Sequence, residues 1–118
     1  MKTIILMILG HLVSDYTLQG WLAQAKQIKW WKDNAPDEKY RHDWIAGLVC
    51  HSLYWSILTF LPLYRDDGFI PAVMANAYVH AVIDHLKCNR LSINLCEDQL
   101  FHLVQIVLTF VAVRVLWG

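Results

Sequence analysis

Three pairs of ionisable residues, each four positions apart, stand in otherwise apolar stretches of this chain: His11 with Asp15, His80 with Asp84, and Asp98 with His102. His51 lies alone in a further apolar stretch. On a helix, a spacing of four stacks two side chains on one face, about 5–6 Å apart at Cβ, so that both reach one ion. Imidazole and carboxylate together suit zinc, iron, manganese or nickel. Near a bilayer centre such groups cost roughly 2.5–3.5 kcal/mol each even on a lenient insertion scale, a cost that a bound cation offsets. His11, Asp15, His51, His80, Asp84, Asp98 and His102 are therefore the candidate metal ligands, with zinc the first expectation. Seven groups exceed one tetrahedral shell. Either two ions share them, or some aspartates take the second ring N–H of a ligating histidine and fix its tautomer. Asp98 and Asp15 are the candidate catalytic bases, taking a proton from water acidified by the metal.

Four apolar segments must position these residues. Trp44 to Tyr64 carries no formal charge over a length that crosses a core of about 30 Å at 1.5 Å per residue. Leu100 to Trp117 is the second clear span, with Arg114 close enough to its end to reach the headgroups. Ile4 to Leu22 and Phe69 to Leu86 each hold a His-x-x-x-Asp pair and small or polar residues, the pattern of helices that face protein on one side. Pro71 suits the first turn of the third span, and the short connection through Asp66-Asp67-Gly68 makes spans two and three antiparallel neighbours. The expectation is an all-α, four-transmembrane-helix bundle, a single domain over 1–118, with one longer polar loop.

Charge sets an orientation. Lys26, Lys29, Lys32, Lys39 and Arg41 of the first loop, with Lys87 and Arg90 of the third connection, place seven of the ten Lys and Arg on one side. The positive-inside rule makes that side cytoplasmic, with both termini outward; Lys2 pulls weakly the other way. Trp21, Trp30, Trp31, Tyr40 and Trp44 surround the first loop like an interfacial belt, part of which is expected to lie on the membrane as a short helix. Counted inward from the cytoplasmic ends, all seven candidate ligands fall in one half of the bilayer, at depths within about 10 Å of each other. Gln19, Gln99 and Gln105 are candidate supports, and Lys26 is placed to meet an anionic headgroup.

Composition limits the alternatives. The chain is 57% hydrophobic and 17% charged with a formal net charge of zero, which points to the lipid bilayer as partner and offers no basic field for nucleic acid. Cys50, Cys88 and Cys96 lack CxxC spacing and read as reduced. Met1 to Ala25 superficially resembles a secretory signal peptide ending Ala-Gln-Ala, but His11 and Asp15 interrupt its apolar region. His42-Asp43 resembles a phosphohydrolase dyad without partners, and His42 and His85 read as surface residues. Glu38 and Glu97 form no His-Glu-x-x-His array, which excludes a zincin protease. Two other roles compete with a metal site: polar groups glue membrane helices together, and they line proton or ion paths. A soluble di-metal four-helix protein is the structural alternative to a membrane bundle.

His11-x-x-x-Asp15-x-x-Leu18-Gln19 followed by Lys26, a lone His51, His80-x-x-Ile83-Asp84-x-x-Lys87, and Asp98-Gln99-x-x-His102 form four ordered motifs over almost the whole chain. Together they resemble the bacterial and phage family labelled domain of unknown function 3307. That resemblance implies a small polytopic membrane protein more than it implies an activity. More loosely, the chain is similar to integral membrane proteins described as metal-dependent hydrolases, an analogy of fold and residue type. The function expected is a buried His/Asp metal site that hydrolyses a membrane-associated, lipid-linked substrate. The alternative is a non-enzymatic phage or bacterial membrane protein that binds a partner, an ion or a proton.

Overall fold

A computed structural model describes residues 1–118 as helices joined by short turns. The six α-helices are α1 (Lys2–Leu12), α2 (Leu22–Ala25), α3 (Ile28–Asn34), α4 (Asp43–Phe60), α5 (Phe69–Cys88) and α6 (Leu95–Leu116). The all-α expectation holds. Two stretches, Glu38–Leu63 and Leu95–Leu116, are long and apolar enough to cross a membrane. α1, with 11 residues, is too short to reach that standard, and α5 carries Asn76, His80 and Asp84 on the face it turns to its neighbours.

Cross-helix contacts give the topology. His51 meets His80, and Ser56 Oγ donates to Val73 O at 2.7 Å, so α4 and α5 run antiparallel as the short connection requires. Asn76 meets Thr109 near one end of the next pair and Lys87 meets Asp98 near the other, so α5 and α6 are antiparallel too. α1 lies antiparallel to α4, with Trp55 against His11 and Leu58 against Gly10. Gly10 is required there, since a Cβ at this position would stand 2.6 Å from Leu58 O. The result is an up-down-up-down arrangement of four long helices.

The predicted first span, Ile4 to Leu22, is not one continuous helix. After Leu12 the chain winds into a π segment at Val13–Thr17, closed by Leu18 N–H donating to Val13 O at 2.9 Å. Ser14 Oγ donates to Gly10 O at 2.7 Å and to His11 O at 3.2 Å, competing for carbonyls of the regular ladder. Single π turns inside helices change the direction in which following side chains point, and here the residue redirected is Asp15. The first loop then folds back: α2 packs on α4, where a Cβ on Gly47 would overlap the Ala25 backbone. α3 is the short helix expected in the aromatic belt, and Trp21, Trp30 and Trp31 meet edge to face beside it. α6 begins at a reciprocal cap, with Asn94 Oδ1 accepting from Glu97 N–H and Asn94 Nδ2 donating to Glu97 Oε1.

Polarity is distributed inside out. Met7, Trp55, Phe60, Leu63, Ala72, Val73, Ile106 and Val113 form one apolar cluster, yet polar and charged residues outnumber hydrophobic ones among the buried side chains. Leu9, Val49, Ile57, Met74, Val104, Leu108 and Val111 face outward, each between 45% and 64% exposed. An apolar belt around a polar interior is the arrangement that lipid, and not water, stabilises.

Candidate metal centre

Four elements bring the polar residues together. The π segment supplies Asp15, α4 His51, α5 His80 and Asp84, and α6 Asp98 and His102. His51 Nε2 lies 3.1 Å from His80 Nε2, 3.4 Å from Asp15 Oδ1 and 3.2 Å from Asp84 Oδ2. His102 Nε2 lies 3.1 Å from Asp98 Oδ1, 3.7 Å from Asp84 Oδ1 and 4.0 Å from Asp15 Oδ2. Three overlapping triads have the spacing to hold a cation: Asp15 with His51 and His80, His80 with Asp84 and His102, and Asp15 with Asp98 and His102.

Of the seven residues singled out by sequence, six share these triads. His11 stands beside them. Its Nδ1 accepts from Trp55 Nε1–H at 2.8 Å, its Nε2 meets Gln99 Oε1 at 3.0 Å, and both ring nitrogens are thereby occupied. Trp55 also lies flat on His80, with ring centroids 4.0 Å apart, so one indole orients two histidines.

Burial makes the arrangement costly without a cation. His51, His80, Asp84, Asp98 and His102 are fully buried, and the Asp15 side chain is only 6% exposed. Asp15 Oδ1, Asp84 Oδ1, Asp98 Oδ1 and His102 Nε2 lack any hydrogen-bond partner, although each such orphan costs about 1–3 kcal/mol or more. These four atoms all belong to the triads.

The supporting shell includes residues whose roles the sequence left open or hid. Lys26 turns inward, only 3% exposed, and Nζ donates to Asp84 Oδ2 at 2.7 Å; it does not extend toward a headgroup. Asn89, with no motif to mark it, clamps that strap: its Oδ1 accepts from Ile28 N–H at 2.7 Å and its Nδ2 donates to Lys26 O at 3.0 Å. Gln99 Nε2 donates to Asp98 Oδ2 at 2.9 Å and reaches Asp15 Oδ2 at 3.4 Å. Gln105 faces His102 Nδ1 at 3.5 Å and donates to Asn76 O, whereas Gln19 bonds back to the Asp15 carbonyl. Lys87, beyond the third predicted span, donates to Asp98 Oδ2 at 2.9 Å.

Other candidates stand apart. His42 is exposed before α4, and His85 stacks on Trp44 with centroids 5.2 Å apart. The three cysteines are free, Cys50 and Cys96 being exposed. A cavity of about 210 Å³ beside α3, lined in part by Trp31, Lys32, Tyr40 and Arg41, includes none of the seven residues.

No curated protein and no solved structure gives a significant match to the chain. The family model described as "Protein of unknown function (DUF3307)" matches residues 3–117, so that all four motifs lie inside the match. The chain is a member of the DUF3307 family.

Proposed function

We propose that this protein is a four-span bacterial inner-membrane protein whose buried centre binds a divalent cation, zinc first among the candidates, and hydrolyses a membrane-delivered substrate. The observation that carries the reading is the set of unpartnered, buried atoms Asp84 Oδ1, Asp98 Oδ1 and His102 Nε2, whose residues all belong to triads with the spacing to hold a cation. Hydrogen-bonding glue would pair such atoms with each other or with backbone. The outward apolar belt and the two long apolar helices support lipid as the surrounding phase. α1 and α5 complete the bundle as the spans that carry its polar interior.

When bound, the cation would supply Lewis acidity, lowering the pKa of a water to near 7. The chain's own residues would do the rest. His51, His80, His102 and Asp84 fix the ion. With a single ion held by these four residues, Asp98 and Asp15 remain free to accept the proton. Lys87 and Gln99 hold Asp98 Oδ2 and so aim Oδ1 inward.

Complete burial of the centre favours a second reading, in which the same residues bind an ion without turnover. One experiment separates the two. Protein purified in detergent is analysed for metal and then assayed against phospholipid, isoprenoid-phosphate and peptide substrates. Stoichiometric metal with turnover that Asp98→Asn reduces at least about 100-fold supports the hydrolase, since positioned bases contribute 10²–10⁴-fold. Metal without turnover supports ion binding, and absence of metal overturns both.

A further inference from the structure

We infer that the centre is built for two cations bridged by the carboxylates of Asp15 and Asp84, one in a closed position and one in a position open toward the protein surface. This inference rests on the metal-binding reading above. Ligand atoms around a four-coordinate ion at 2.0–2.2 Å stand about 3.3–3.6 Å apart. Around the first position, His51 Nε2 lies 3.1 Å from His80 Nε2, 3.4 Å from Asp15 Oδ1 and 3.2 Å from Asp84 Oδ2. His80 Nε2 lies 3.8 Å from Asp15 Oδ1 and 3.6 Å from Asp84 Oδ2. Five edges thus scatter around the length that a single tetrahedral ion demands.

The other oxygen of each bridging carboxylate points away from this position. Asp15 Oδ2 and Asp84 Oδ1 turn to His102 Nε2, at 4.0 and 3.7 Å, where Asp98 Oδ1 completes a second set at 3.1 Å. Three of those four atoms, Asp84 Oδ1, Asp98 Oδ1 and His102 Nε2, have no hydrogen-bond partner. One ion in the first position would leave them unsatisfied, and one in the second would leave Asp15 Oδ1 so. Two ions sharing two carboxylates use every one, in the manner of two-metal sites whose ions stand about 3.5–4 Å apart.

The two positions differ in access. Asp84, which serves the first, is sealed behind Lys26, a residue only 3% exposed. Asp98, which serves only the second, is held by Lys87, a quarter of whose side chain reaches the surface. The second position is where water exchanges and a substrate oxygen enters.

Manganese tests this directly. The detergent-purified full chain, stripped with chelator, is titrated with Mn²⁺ while bound metal is counted and the electron paramagnetic resonance spectrum is followed. The expected result is two Mn²⁺ per chain at saturation, with the six-line signal of the first ion collapsing into a spin-coupled spectrum as the second enters. On renewed chelation one ion leaves at least tenfold faster than the other. Asp98→Ala is expected to retain one uncoupled ion. Saturation at one Mn²⁺ per chain, or two uncoupled ions, overturns the bridged pair while the metal-binding reading stands. No bound Mn²⁺ overturns both, and an Asp98→Ala protein that still holds a coupled pair overturns the assignment of the second position.

Discussion

The two ends of the helix bundle are held together by different physics, and Trp55 marks the border. On one side its indole lies flat on His80 and donates to His11; on the other it meets Phe60 edge to face at 6.0 Å. Beyond Phe60 the helices are joined by Met7, Leu63, Val73, Ile106 and Val113, a core that hydrophobic burial and close packing stabilise on their own. Toward His80 they are joined by charged groups that gain little until each has a partner. One end therefore holds the fold, and the other holds the candidate metal centre. Substitutions at the two ends should separate stability from metal binding.

The largest effect is expected at Asp84. Asp84→Ala removes one of the two carboxylates common to both sets of ligands and strands the buried Lys26 ammonium, which costs about 3–5 kcal/mol when a buried pair is broken. Metal analysis should find no bound ion, and unfolding in detergent should move to markedly lower temperature. Phe60→Ala at the other end is expected to cost a similar amount, about 3–5 kcal/mol, through a cavity in the apolar cluster. It should leave the metal content unchanged, which is the contrast that matters. Chelation comes next. A ligand present at 100 times its dissociation constant stabilises by about 2.7 kcal/mol, so stripping metal should lower the melting temperature of the wild type and of Phe60→Ala but not that of Asp84→Ala. Gly47→Ala forces α2 off α4 and should cost about 1–3 kcal/mol, with weakened metal affinity because Lys26 follows Ala25. Smallest of all, Arg114→Ala breaks a half-exposed ion pair with Asp66 and should change stability by no more than about 0.5 kcal/mol, measured in the same melting experiment.

How much of this the sequence revealed follows from which contacts are local. His80 with Asp84 and Asp98 with His102 were legible because a helix fixes residues four apart on one face. Their convergence with His51 was legible because helices joined by short connections run antiparallel, so residues near the same ends of successive helices meet. Three things were not. The π turn at Val13–Thr17 depends on Ser14 competing for backbone carbonyls, which no periodicity announces. Lys26 has the sequence context of a loop cation, and only the packing of Ala25 on Gly47 with the Asn89 clamp turns it onto Asp84. His11 carries the same spacing to Asp15 as His80 does to Asp84, yet Trp55 and Gln99, distant in the chain, occupy its nitrogens. The difference between a ligand and its neighbour is tertiary. For the same reason α5 is weakly apolar on its own: Asn76, His80 and Asp84 face the interior that the other helices close.

The central claim is that these imidazoles and carboxylates converge because they hold a cation. Anomalous diffraction from crystals grown with zinc, measured on both sides of the zinc absorption edge, tests it most directly. The account predicts a strong anomalous peak enclosed by His51, His80, Asp15 and Asp84, with a second beside His102 and Asp98. Zinc-soaked crystals with no peak at this centre, and with Asp84, Asp98 and His102 satisfied by hydrogen bonds to one another or to water, would contradict it.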